Sequence, residues 1–145
     1  ALDAVCRRHF RYVLDGRYNA AHADHLHMDF AGGALVCDRT SRSDTVFVQQ
    51  CCNFFQGSAL PIDGKWGART QAAFDETRKR LAVSGDPHVT PEVWRHWLFR
   101  TASCGFGNRA YDNVPERLPD PLEGIVDPIG GPVEDGLREL LGLLK

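Results

Sequence analysis

Between Asn19 and Phe30 the chain reads Asn-Ala-Ala-His-Ala-Asp-His-Leu-His-Met-Asp-Phe, which gathers three of its six histidines into six positions. No other stretch is so dense in groups that bind metal or move protons. Spacing says more than density. On a β-strand, successive side chains alternate faces, so His25, His27 and Asp29 are expected to point the same way. A His-x-His pair on one face can offer two imidazoles to a single ion, and imidazole suits zinc. Asp24 precedes His27 by three residues, within reach of a proton-transfer role beside such an ion. The competing reading is a polar cluster that satisfies only its own hydrogen bonds, or a degenerate site.

The rest of the composition sets the frame. The chain has 145 residues, a formal net charge of −2 and 43% hydrophobic residues, which suits one globular domain or two small ones. With no basic stripe, nucleic acid is not an expected partner. No apolar run approaches transmembrane length. No signal peptide is present, so a secreted origin requires that one was removed. Five cysteines (Cys6, Cys37, Cys51, Cys52 and Cys104) include no Cys-x-x-Cys pair. Disulfides in an oxidising compartment are the favoured expectation, with Cys6 and Cys37 bracketing the histidine strand and Cys104 pairing with Cys51 or Cys52. Five buried thiols are the alternative.

Apolar spacing divides the chain into three expected parts: residues 1–40, 44–105 and 106–145. Residues 2–14 read as a helix with Leu2, Val5, Cys6, His9, Phe10 and Val13 on one stripe. Residues 24–31 are the histidine strand, and Ala34 to Cys37 can pair back on it after the Gly32-Gly33 turn. A polar linker runs from Asp38 to Asp44. Three helices follow: one with Val46, Phe47, Gln50, Cys51, Phe54 and Phe55 and a cap at Asp44 or Thr45, one over 68–83, and one starting at Thr90-Pro91-Glu92. Pro115, Pro119, Pro121, Pro128 and Pro132 mark an extended tail. Residues 132–145 read as an amphipathic helix, with docking on its own domain or on another protein as the options. The fold class expected is α+β: a helix-plus-strand fragment, a three-helix unit and a Pro-rich tail.

The opening segment resembles the last active-site motif of zinc peptidases of the D-Ala-D-Ala carboxypeptidase and hedgehog-like fold. It resembles still more the extensin-like bacterial proteins related to them, from the Cys6-Arg7 opening through Tyr18-Asn19-Ala20-Ala21-His22 to Asp29. The resemblance implies His27 as a zinc ligand and Asp24 as general base. It implies that His22 and His25 flank the site and stabilise charge, with His25 also available to the metal. That family draws two further ligands from an earlier His-x6-Asp motif. Nothing before His22 supplies it, since His9 and Asp15 are six apart. The resemblance therefore implies a segment upstream of Ala1, which is also a candidate partner for an odd cysteine; loss of the metal is the alternative.

The second part resembles the three-helix peptidoglycan-binding domain found beside many cell-wall hydrolases. Val48-Gln49, Leu60-Pro61-Ile62-Asp63-Gly64-Lys65-Trp66-Gly67 and Thr70-Gln71-Ala72-Ala73-Phe74 carry that likeness. Asp63-Gly64 suits a tight turn, glycine tolerating positive φ and aspartate bonding back to the backbone. Asp63 and Trp66 are the expected substrate-binding residues, although core packing is an equal expectation for Trp66 and Trp94.

Three functions follow from these readings. The first is a periplasmic or extracellular zinc metallopeptidase that cleaves peptidoglycan stem peptides, held on its polymer by the helical unit. The second is a non-catalytic wall-binding or partner-binding protein with an incomplete metal site. The third is a histidine cluster that binds metal for structure alone, for which a closed set of four ligands is expected.

Overall fold

A computed structural model describes residues 1–30 and 32–108. The expected proline-rich tail from residue 109 and the helix over 132–145 lie outside the described residues. The described elements run α1 (Leu2–Arg7), β1 (Tyr12–Leu14), a 3-10 turn (Ala20–His22), β2 (His27–Asp29), α2 (Arg42–Gln56), α3 (Ala68–Arg80) and α4 (Pro91–Gly105). Helices with a small two-stranded sheet make the described chain compatible with an α+β fold.

The first helix is shorter than its apolar stripe predicts. It stops at Arg7, and the chain turns and re-emerges as β1. Two causes act together. Tyr12 and Val13 favour extended backbone. Arg7 folds inward and donates from Nη2 to the Val13 carbonyl at 2.6 Å, a contact a continuous helix would prevent. Val13 reaches the interior on either geometry and is fully buried, which is why the stripe misled.

The partner of the histidine strand also differs from expectation. β2 spans only His27–Asp29 and pairs antiparallel with β1, in register Tyr12 to Asp29, Val13 to Met28 and Leu14 to His27. Residues 34–37 do not pair back on it. The Cys37 amide instead donates to the Pro87 carbonyl at 2.9 Å, which ties this segment to the start of α4. Gly32 and Gly33, at φ of 60° and 91°, still make the turn that the sequence signals.

Helix α2 begins earlier than expected. Ser41 caps it, its hydroxyl accepting from the Asp44 amide at 3.2 Å. Asp44 is thereby freed for a different task. Its carboxylate receives Arg7 Nη1 at 2.7 Å and Arg11 Nη1 at 3.2 Å. Arg7 is only 3% exposed; it also bonds Asp3 and Ser43 and lies over the Phe47 ring. This buried network joins the N-terminal segment to the helical unit, and α1 packs on α4.

The three long helices enclose the core: Phe47, Val48, Cys52 and Phe55 from α2, Phe74 from α3, and Trp94, Trp97 and Leu98 from α4. Trp94 and Trp97 stack at 5.1 Å, and Phe74 meets Trp97 edge-on at 5.1 Å. Burying such rings supplies the main driving force for a unit of this size. Gln49 and Asn53, one turn apart on α2, hold the loop between α2 and α3. Gln49 Oε1 accepts from the Asp63 and Gly64 amides, and Asn53 bonds both the amide and carbonyl of Leu60.

No disulfide joins the cysteines in this structure, so the expected pairings do not form there. Helical geometry explains part of this. Cys51 and Cys52 point from α2 into the packed core, and burial pushes both thiols up, Cys52 to about 11. Cys37 is raised for the same reason.

His88 is a half-buried titrating group. Its Nδ1 lies 2.7 Å from the Cys37 carbonyl, and its ring sits against Trp66 and Phe74. Burial lowers its affinity for a proton. The unfolded chain therefore takes up the proton first, and stability falls as pH drops below the ordinary histidine value near 6.5. Denaturant midpoints are expected to be lower at pH 5 than at pH 7.5, with a shallower dependence in His88→Gln.

Candidate functional site

Local geometry places the three histidines together. The 3-10 turn is capped by Asn19, whose Oδ1 accepts from the Ala21 amide at 3.0 Å and from His22 Nδ1 at 2.7 Å. Because Oδ1 can only accept, His22 carries its proton on Nδ1 and keeps a lone pair on Nε2. Asp24 fixes His25 in the same way, its Oδ1 standing 2.8 Å from His25 Nδ1. His22 is the shared neighbour: its ring centroid lies 5.3 Å from that of His25 and 5.6 Å from that of His27. Imidazoles sharing one tetrahedral ion place their centroids about 5 Å apart, given metal–nitrogen distances near 2 Å. Tethering a ring at one nitrogen while freeing the other is how a histidine ligand is oriented. The donor chemistry thus fits zinc. As the side chains stand, no three acidic, histidine or cysteine groups among the described residues form a ready ligand set, so loading an ion requires the imidazoles to rotate.

The expected strand face holds in part. His27 and Asp29 share a face of β2 and line a cavity of about 260 Å³ with Tyr12, Leu14, Tyr18 and Arg42. His25 lies before the strand, so it reaches the cluster through the turn and not through strand alternation. Asp24 has a side chain 90% exposed. The hydrogen bond from His25 holds its carboxyl below the ordinary value, so it is ionised at neutral pH.

Arg42, Tyr18 and Asn19 were not singled out as site residues. Tyr18 and Asn19 belong to the motif that carried the resemblance. Arg42 fell in the stretch read as a linker, and only the fold brings it in. Its guanidinium lies over the Tyr18 ring at 4.8 Å. It also crosses Gly64: a Cβ there would stand 2.5 Å from Arg42 Cγ, on backbone with φ 70°. Arg42 thus links the Asp63-Gly64 turn of the helical unit to the histidine cavity. Gly64→Ala is expected to lower stability by about 1–3 kcal/mol through strain and crowding, measured by urea denaturation.

The two expected substrate-binding residues are both engaged internally. Asp63 Oδ1 accepts from Gln49 Nε2 and from the Lys65 amide, each at 2.9 Å, which closes the turn. Trp66 is partly buried against the core, donates from Nε1 to Gln71 at 3.0 Å and meets Phe74 edge-on at 5.5 Å. Trp94 is a core residue, 2% exposed. No helix among the described residues is long and apolar enough to cross a membrane. Comparison with protein-family models, with curated proteins and with solved structures matches nothing to this chain.

Proposed function

We propose that the protein processes bacterial cell wall in the periplasm or outside the cell, hydrolysing peptide bonds of peptidoglycan stem peptides with the help of zinc. One observation carries this reading: His22 touches both His25 and His27, while the Nδ1 atoms of His22 and His25 are tethered so that their Nε2 lone pairs stay free. Three imidazoles leaving one position open is the ligand count of a catalytic zinc site. Zinc bound there supplies a Lewis acid and an acidified water. Asp24, ionised and exposed, takes a proton at its carboxylate. The cavity beside His27 presents Tyr18 and Arg42, and Arg42 offers a fixed positive charge to a substrate carboxylate. The helical unit, resembling a wall-binding domain, holds the enzyme on its polymer.

A second reading is a non-catalytic wall-binding or partner-binding protein. It rests on the Asp63-Gly64 turn held by Gln49, the feature on which the helical unit resembles a wall-binding domain, and it needs no metal. Incubating purified peptidoglycan with the zinc-loaded protein separates the two. New muropeptide ends detected by mass spectrometry, lost in Asp24→Ala, support hydrolysis. Co-sedimentation with the wall without any cleavage supports the second reading.

A further inference from the structure

A separate cavity of about 350 Å³ opens between the exit of α1, the turn after β2 and the first turn of α4. Phe30, Leu35 and Pro91 give it apolar walls, and Phe30 is held there by an edge contact with Phe10 at 5.3 Å. Two polar groups of its lining bear on what it can hold. His9 Nε2 is buried from solvent and has no hydrogen-bond partner. Arg95, exposed on α4, forms no ion pair or hydrogen bond among the described residues. A buried imidazole nitrogen without a partner is costly unless a ligand completes it, and the exposed guanidinium beside it can exchange water for an anion.

We propose that this cavity binds a small organic monocarboxylate carrying a short apolar group. The carboxylate accepts from the Arg95 guanidinium and from His9 Nε2, and the apolar group lies against Phe30, Leu35 and Pro91. The volume is at the lower end for small-molecule sites, which span about 300–1,000 Å³. Glu92 also lines the cavity and sets the charge it accepts. A single negative charge is matched by Arg95, whereas the phosphate dianion that prevails at pH 7.5 is repelled by Glu92. The charged groups acting on His9 are Arg8 and Arg95, with Glu92 in the lining of the same cavity. Burial first, then Arg8 and Arg95, lower its proton affinity below the ordinary histidine value in the free protein. A carboxylate at Nε2 favours the protonated ring, so His9 takes up a proton from solvent as the ligand binds, and binding tightens as pH falls. Neither His9 nor Arg95 belongs to the histidine cluster, so this inference stands apart from the hydrolase reading.

The test is a titration with N-acetylalanine, which has one carboxylate, a methyl group and no free amine. It is followed through the His9 Cε1–H resonance in the wild type and Arg95→Gln, and by titration calorimetry in His9→Gln, with inorganic phosphate run in parallel. Saturable shifts are expected with N-acetylalanine, several-fold tighter at pH 5.5 than at pH 7.5, with about tenfold as the ceiling if the ring gains one unit in proton affinity. Arg95→Gln, at an exposed position, is expected to keep the wild-type melting temperature and to bind about tenfold or more weakly. His9→Gln is expected to bind without the pH dependence. No saturable shift, equal binding by Arg95→Gln, or phosphate binding as tightly as N-acetylalanine overturns the proposal.

Discussion

Asp44→Ala is expected to remove about 3–5 kcal/mol of stability, the usual cost of leaving a buried charge without its partner. The stranded group is Arg7. It stays enclosed by Asp3, Ser43, the Val13 carbonyl and the Phe47 ring, and with Asp44 gone only Asp3 remains as a countercharge. Asp44 also receives Arg11 and the Asp38 amide, so one substitution opens three contacts. Burial raises the proton affinity of Asp44 against the opposing pull of Arg7. Asp44→Asn keeps the shape and loses the charge, so it is expected to fall between wild type and alanine. Replacing Arg7 and Asp44 together by apolar residues of similar volume is expected to recover most of the loss, because no uncompensated charge remains. Urea midpoints across these variants check the series. A loss under about 1 kcal/mol for Asp44→Ala, the range of a surface pair, would mean the bridge is open to water.

His22→Ala is expected to lower zinc affinity by more than about 100-fold, beyond the 10–100-fold typical of losing an outer-shell partner. His22 is the ring that contacts both other imidazoles, so its removal leaves His25 and His27 without their common neighbour. Asn19→Ala removes only the tether on His22 Nδ1 and the cap of the 3-10 turn, and is expected to fall within that 10–100-fold range. Competition with a chromophoric chelator gives these ratios directly. Equal affinities for wild type and both variants would show that zinc, if bound, sits elsewhere.

The sequence exposed what rests on local signals. Thr90-Pro91 marked the start of α4 because proline fits a helix's first position, and the helix expected over 68–83 forms as α3. The grouping of the histidines was visible in spacing alone, although the wrong geometry was assigned to it. A turn capped by Asn19, not a long strand, brings His22 in and leaves His25 outside β2. What stayed hidden depended on distant partners. Arg7 lies off the apolar stripe of the expected first helix, and nothing local shows that Asp44, 37 residues away, waits for it in the interior. Asp63 has the motif of a turn and the chemistry of a ligand group. Only the contact with Gln49 decides how it is used in this fold.

The most direct test is the zinc content of the folded protein, purified without chelator and then dialysed against micromolar zinc at pH 7.5. About one zinc per chain is expected from a site with three imidazoles and one open position, falling to none in the His22→Ala, His27→Ala double variant at unchanged helical content. A folded wild-type protein that retains no zinc, or a double variant that retains as much as wild type, would contradict the account.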